Sequence, residues 1–356
     1  MVINVKEMKS FNLKGLNILI TGHTGFKGSW LCEWLLQEGA HVSGIALPPE
    51  TPSLFSALRL EERISNHIVC DIRDFTNLSI GVKRSNPDII FHFAAQALVR
   101  RSYREPLSTW DTNVIGTLNV LEAAKALGRS VTVIVVTTDK VYKNREWEYS
   151  YREEDELGGH DPYSSSKAAC EIAVASWRAS FGASDGVTVV TARAGNVIGG
   201  GDESEDRIIP DCFRSWRQGK PVEIRSPLST RPWQHVLEPL SGYLALAAYT
   251  HLQNNIIHAC NFGPEAEGHC RVEKLVKSLA AMGPGRTWLI KENNIMHEAK
   301  ELSLSIDRAR HILGWKPLLN FEETIKWTND GYISTAKDFP KLVKFQIEEY
   351  RKRRQG

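Results

Sequence analysis

Long apolar runs, paired cysteines and surplus charge are all missing from this 356-residue chain, and each absence closes off a class of protein. No stretch approaches the roughly 20 apolar residues that a membrane-spanning helix needs. The opening MVINVKEMKS carries lysines and a glutamate where a signal peptide has an apolar core, so a cytoplasmic chain with no membrane partner is expected. The six cysteines (Cys32, Cys70, Cys170, Cys212, Cys260 and Cys270) are scattered without a CxxC pair. That spacing argues against disulfides and a metal site, and leaves each thiol as a small core residue in a reducing compartment. A formal net charge of +2 is too small to steer the chain onto nucleic acid, although a cationic pocket for a phosphorylated ligand remains open. The basic YRKRRQG at the C-terminus reads as a solvated helix end. Internal repeats and low-complexity segments are absent as well.

What is present is alternation. Short β-branched runs (LNILITG, HVSGIAL, NHIVCDI, DIIFHFAA, VTVIVVTT and GVTVVTARAGNV) are separated by longer amphipathic stretches. This is the pattern of βαβ units, and six strands suit an α/β fold of Rossmann-like type, a doubly wound parallel sheet. A helix is expected over 164–179. From about Gly195 the texture changes to Gly-, Pro-, Arg- and Trp-containing loops between shorter helices, which reads as a smaller mixed α/β lobe that binds substrate. The expected division is a dinucleotide-binding domain over 13–194, a substrate lobe over 195–340 and a C-terminal helix with a basic tail over 341–356. Segments near 232–262 can return to the first domain.

The first run passes directly into Gly22-His23-Thr24-Gly25-Phe26-Lys27-Gly28 and then into a helical pattern with Leu31, Trp34 and Leu35 on one side. Glycines allow a tight turn and close backbone approach, and the helix start offers N–H groups to a pyrophosphate. The spacing is GxxGxxG, so Gly22, Thr24, Gly25, Phe26, Lys27 and Gly28 are candidate cofactor contacts; a turn needed only for packing is the alternative. The second strand ends without the acid that often binds the adenosine ribose. GIALPPETPSLF offers neutral Thr51 and Ser53 and no arginine for a 2′-phosphate, which favours NAD over NADP.

Tyr163 and Lys167 stand four residues apart behind Pro162, on one face of the expected helix. A tyrosine with a pKa of about 10 is a poor base at neutral pH, but a neighbouring ammonium and a cationic nicotinamide stabilise its phenolate. The fifth strand ends in Thr137-Thr138-Asp139-Lys140. A hydroxyl at Thr138, at the strand end where such sheets bind ligands, can hold the same substrate oxygen as Tyr163.

Together these residues resemble the extended short-chain dehydrogenases that modify nucleotide sugars. FHFAAQALVRRS is similar to that family's HxAA segment, DTNVIGTLNVLEAA to its N-x-x-G-T helix and RPWQHV to its substrate-binding arginine strand. The resemblance implies cofactor contacts at Asp71, Ile72, Ala94, Ala95, Asn113, Thr137, Tyr163 and Lys167. It also implies substrate contacts at Gln96, Arg101, Asn196, Arg207 and Arg231, with Arg231 the leading candidate for the diphosphate because a guanidinium binds two phosphate oxygens at once. Trp233 and His235 read equally as core or rim.

Many enzymes share the first hydride step, so the neighbours of Thr138 must discriminate. In 4,6-dehydratases a Thr-Asp-Glu triplet is usual, the aspartate protonating the departing C6 hydroxyl and the glutamate removing the C5 proton. This chain keeps Asp139 and has Lys140 next, which resembles the pattern of the CDP-glucose 4,6-dehydratases. The resemblance implies NAD as cofactor, CDP-glucose or a related nucleotide sugar as substrate, and a homo-oligomer. Lys140, or a water it orients, would then be the C5 base. Another nucleotide-sugar 4,6-dehydratase, a C4 epimerase and a non-catalytic dinucleotide-binding regulator are the alternatives.

Overall fold

The computed structural model describes residues 11–182, 184–253, 257–265, 268–291 and 302–355, and the opening MVINVKEMKS lies outside the described residues. In chain order the strands are β1 Asn17–Thr21, β2 His41–Ala46, β3 Asn66–Val69, β4 Ile89–His92, β5 Val131–Val136, β6 Val187–Ala194, β7 Val197–Ile198, β8 Val222–Ile224, β9 Thr230–Pro232, β10 Gln234–His235, β11 Ala259–Phe262, β12 His269–Arg271 and β13 Trp288–Ile290.

Each of the six β-branched runs contributes a strand to one parallel sheet of order β11-β6-β5-β4-β1-β2-β3. Alternate residues of a strand face opposite sides. Ile18 and Ile20 pack with Trp30, Leu31 and Leu35 of the helix Phe26–Gln37, while Leu19 packs with Val120 and Leu121 of Gly116–Lys125 and Val174 of Pro162–Trp177. Helices therefore cover both faces, which is why these strands read as nearly continuous apolar runs.

The expected count of six strands is corrected to seven. β11 is the short Ala-Cys-Asn-Phe, which pairs in parallel with β6. It follows the helix Leu237–Leu252, whose Leu240, Tyr243 and Leu246 enter the same core as β1. The expected helix over 164–179 runs over Pro162–Trp177, starting where Asp161 and Ser164 form a reciprocal capping box.

The remaining strands pair in twos, β7 with β10, β9 with β12 and β8 with β13. Ile209, Phe213, Trp233, Leu275, Leu279, Phe321 and Ile325 form a separate apolar cluster beneath them. The C-terminal helix Phe339–Gln355 does not stand free: Val343, Ile347 and Tyr350 join the first core, and Arg351 pairs with Glu38. All six cysteines are buried, Trp233 and His235 are core residues, and no described helix is long and apolar enough to cross a membrane.

Candidate active site

The strand order reverses between β1 and β4, and the loops leaving their carboxyl ends diverge to open a crevice. A cleft of about 1670 Å³ runs from there to β8 and β9. Its cofactor end is built by the glycine turn. Gly22 has φ +76°, and a Cβ on it would lie 2.7 Å from the Ala94 nitrogen; one on Gly28 would lie 2.3 Å from the Gly22 oxygen. Only glycine fits either position. The helix Phe26–Gln37 then starts at Gly25 with no side-chain cap, which leaves its first N–H groups to a ligand. The cradle fits a dinucleotide pyrophosphate.

Gly22, Thr24, Gly25, Phe26, Lys27, Gly28, Asp71, Ile72, Ala94, Ala95 and Thr137 all line the cleft. Asp71 holds Arg73 through a 2.6 Å ion pair, while Asp74 caps the helix Phe75–Ser85. Asn113 differs from the expectation. It is fully buried behind the wall, where its amide grips the Gln96 backbone in both directions and donates to Ser166 Oγ at 2.8 Å. It shapes the cleft and does not line it. Under the turn, His23 Nε2 meets His67 Nδ1 at 2.7 Å, and burial pushes His23 down to about 4.

At the centre of the cleft Thr138, Asp139, Lys140, Tyr163 and Lys167 come together. β5 delivers the first three at its carboxyl end, and the helix Pro162–Trp177 delivers the other two one turn apart. Thr138 Oγ1 donates to Asp139 Oδ1 at 2.9 Å and pulls the pKa of Tyr163 down. Asp139 is buried, and its Oδ2 has no hydrogen-bond partner among the described residues. Burial raises its pKa against the pull of Lys140, Thr138, Arg231 and Lys27. Burial likewise pushes Tyr163 up to about 12, outweighing Thr138 and Arg207. Lys167 Nζ donates to the Val136 carbonyl at 3.3 Å, and burial lowers its pKa.

Lys27 is the unexpected member. Its Nζ lies 6.0 Å from the centre of the buried Tyr243 ring. Burial, then Arg207 and Lys167, push its ammonium down to about 7, while Asp139 and Asp202 oppose the shift. The glycine-turn lysine thus belongs electrostatically to the reaction centre as well as to the turn.

Sequence reasoning missed the residue that ties the two halves of this centre together. Glu171 stands one further turn along the face that carries Tyr163 and Lys167. Its carboxylate accepts from Thr137 Oγ1 at 2.5 Å, Thr191 Oγ1 at 2.7 Å and Arg193 at 2.9 Å. Arg193 continues to the Tyr142 hydroxyl, which donates to Asn261 Oδ1 at 2.7 Å. The signal was available as a third residue at four-residue spacing.

The substrate candidates Gln96, Arg101, Asn196, Arg207 and Arg231 all line the cleft, with unequal freedom. Gln96 uses its amide on Leu98 and Thr109. Arg101 pairs with Glu105 at 3.2 Å and is half-exposed. Arg207 precedes the helix Ile208–Arg217 and lies 3.8 Å from Asp202, and Arg231 is buried on β9. Among the described residues no three His, Cys, Asp or Glu side chains are arranged to hold a metal.

The family model described as GDP-mannose 4,6 dehydratase matches residues 19–328. The CDP-glucose 4,6-dehydratase of Salmonella typhimurium is 45% identical over 326 residues, covering 88% of this chain and 90% of the relative. The dTDP-glucose 4,6-dehydratase of Haemophilus influenzae is 26% identical, over 88% and 97% of the two chains. Among solved structures, the dTDP-glucose 4,6-dehydratase of Bacillus anthracis in complex with NAD superposes with a TM-score of 0.76 at 22% identity, covering 92% of this chain and 100% of the other. The epimerase Mth375 of Methanothermobacter thermautotrophicus gives a TM-score of 0.77 at 23% identity, over 96% and 97%. At such identities the structural likeness speaks to the fold.

Proposed function

The chain belongs to the GDP-mannose 4,6 dehydratase family, and from that membership we propose that it is an NAD-dependent CDP-glucose 4,6-dehydratase, converting CDP-glucose to CDP-4-keto-6-deoxyglucose and water. The observation that carries the reading is the buried Asp139, bonded to Thr138, sharing the cleft with Tyr163 and followed by Lys140. An acid and a base beside the oxidising pair are what dehydration needs and what epimerisation at C4 does without.

A dinucleotide on the glycine turn supplies hydride acceptance from C4 and hydride return to C6. The protein moves the protons. Tyr163 takes the proton of the 4-hydroxyl while Thr138 steadies the same oxygen, leaving a ketone that acidifies C5–H. Lys140 as the neutral amine, or a water it orients, removes the C5 proton. Asp139, whose pKa burial raises, gives its proton to the C6 hydroxyl, which leaves as water. Lys140 later returns its proton to C5, and the proton gained by Tyr163 passes through the Thr138 hydroxyl to reset Asp139. Protons therefore balance over the cycle, and Lys167 holds the ribose and the charge beside Tyr163. Tyr163 at about 12 is a poor base, so its activation rests on the positive charge that arrives with the cofactor.

Arg231 and Arg207 are assigned to the substrate diphosphate. Exposed Leu107, Trp110, Ile115 and Ile172 lie on helices of one layer and support assembly with a second copy. Buried thiols and a sugar-nucleotide substrate suit the cytoplasm.

The purified protein, given catalytic NAD with CDP-, dTDP-, UDP- or GDP-glucose, should convert CDP-glucose to a 4-keto-6-deoxy product without net NADH. A product inverted at C4 and still hydroxylated at C6 would put the epimerase reading in its place.

A further inference from the structure

Thr138, Asp139 and Lys140 share one tight turn, and both ends of that turn are tied to the same buried ion pair. The turn covers Asp139–Val141, with Thr138 as its cap. Within it the backbone N–H groups of Lys140 and Val141 reach Thr138 only at 3.4 Å each, which is long for such bonds. The flanks are held more tightly. Directly ahead, Thr137 Oγ1 donates to Glu171 Oε1 at 2.5 Å, and Lys167 Nζ donates to the Val136 carbonyl at 3.3 Å. Directly behind, the Tyr142 hydroxyl accepts from Arg193 Nη1 at 2.9 Å and donates to Asn261 Oδ1 at 2.7 Å, while the Val141 carbonyl accepts from the Gly158 N–H at 2.8 Å.

Glu171 and Arg193 close these two ends on each other. The guanidinium meets the carboxylate with two prongs, Nε to Oε1 and Nη2 to Oε2, both at 2.9 Å, and the side chains are only 5% and 3% exposed. Thr191 Oγ1 adds a donor to the carboxylate at 2.7 Å, and Arg193 Nη1 also reaches the Glu153 carbonyl at 3.0 Å. Burial alone would raise the Glu171 pKa, yet Arg193, Thr137 and Thr191 hold it below the ordinary value, so the pair is ionised. Such a pair adds little stability over packed apolar side chains, but its forked geometry fixes both partners in place. Neither residue lines the cleft. Glu171 rides the helix that carries Tyr163 and Lys167, and Arg193 rides β6, so the pair relates the acid and base on the turn to the oxidising groups on the helix.

We propose that Glu171 and Arg193 are positioning residues that grip the turn through Thr137 and Tyr142 and so set Asp139 and Lys140 for the elimination. This rests on the dehydratase reading above and names what holds its acid and base in register. The Tyr142 hydroxyl is the most separable part of the clamp. Removing it frees the end of the turn next to Lys140, while Thr137 and Val136 keep the end next to Thr138 tied to the helix of Tyr163 and Lys167. A loosened trailing end misplaces the groups that act at C5 and C6 and spares those that act at C4. The elimination should therefore slow far more than the oxidation.

The test is rapid mixing of the NAD-loaded protein with CDP-glucose, followed by the absorbance of reduced nicotinamide. Its rise reads oxidation at C4, and its decay reads elimination with hydride return. Loss of folded protein lowers the amplitude and leaves the two rates alone. Tyr142→Phe keeps the ring that stacks on Tyr151 at 5.1 Å. It should leave the rise within about twofold of the unaltered protein and slow the decay about 10- to 100-fold. The second variant, Glu171→Met with Arg193→Met, replaces the pair by apolar side chains. A merely structural pair predicts that the decay rate returns with thermal stability, whereas the clamp predicts a stable protein in which the decay stays slow. Equal slowing of both phases in Tyr142→Phe, slowing of neither, or a double variant with a restored decay overturns the clamp, and the dehydratase reading stands as long as the unaltered protein yields the 4-keto-6-deoxy sugar. An unaltered protein that yields none overturns both.

Discussion

The burial that raises the pKa of Asp139, and so suits it to give a proton, weakens the fold whenever that proton is lost. In the unfolded chain its carboxyl titrates near the ordinary value; in the folded protein its pKa is raised, mainly by burial. The folded state then binds the proton more tightly, so stability falls as pH climbs from the ordinary value through the raised one. Asp139→Asn removes that handicap. Its melting temperature should exceed that of the unaltered protein at pH 7 and converge with it below about pH 4, while elimination slows at least 10-fold and initial C4 oxidation persists. Equal melting curves at both pH values would contradict a buried acid. Lys27 has the opposite sign, since its folded value near 7 lies below the ordinary 10.5. The unfolded chain binds that proton more tightly, so stability should rise with pH across 7 to 10.5, and Lys27→Met should flatten that rise in thermal unfolding at constant ionic strength. At this scale Thr138, Tyr163 and Lys167 were legible because their spacing on a strand end and one helix face is local. The contact of Arg193 with Tyr142 was not, because 51 positions of chain separate the partners.

At the scale of elements, the helix Pro162–Trp177 owes its register against β5 and β6 to Glu171. A buried ion pair contributes little over a well-packed apolar pair, but breaking one partner leaves a charge unpaired at a cost of about 3–5 kcal/mol. Glu171→Ala should therefore destabilise the protein by that order in urea unfolding. Glu171→Met with Arg193→Met should recover much of the loss, and additive losses would deny the coupling. Capping and periodicity exposed this helix in the sequence, with a two-residue error at each end because Pro162 begins the helix where Ser164 was expected to. β11 escaped notice for another reason. Four residues without a β-branched run carry no strand signal of their own, and β11 exists because an unpaired β6 edge accepts it.

For the whole molecule, the doubly wound sheet and the family were readable from the order of strand, glycine turn, strand end and Tyr-Lys helix. The path of the last helix was not: YRKRRQG reads as a solvated helix end, whereas Tyr350 buries its ring and donates to Glu238 at 2.6 Å. The exposed apolar residues Leu107, Trp110, Ile115 and Ile172 predict self-association, so sedimentation at micromolar concentration should give a mass above the 40.0 kDa of one chain. The central claim is that one site oxidises C4, eliminates water across C5 and C6, and returns the same hydride. It is tested most directly with CDP-glucose deuterated at C4. The account predicts a 4-keto-6-deoxy sugar carrying that deuterium at C6, with none accumulating in NADH; deuterium retained at C4 of an inverted sugar, or lost to the cofactor pool, would contradict it.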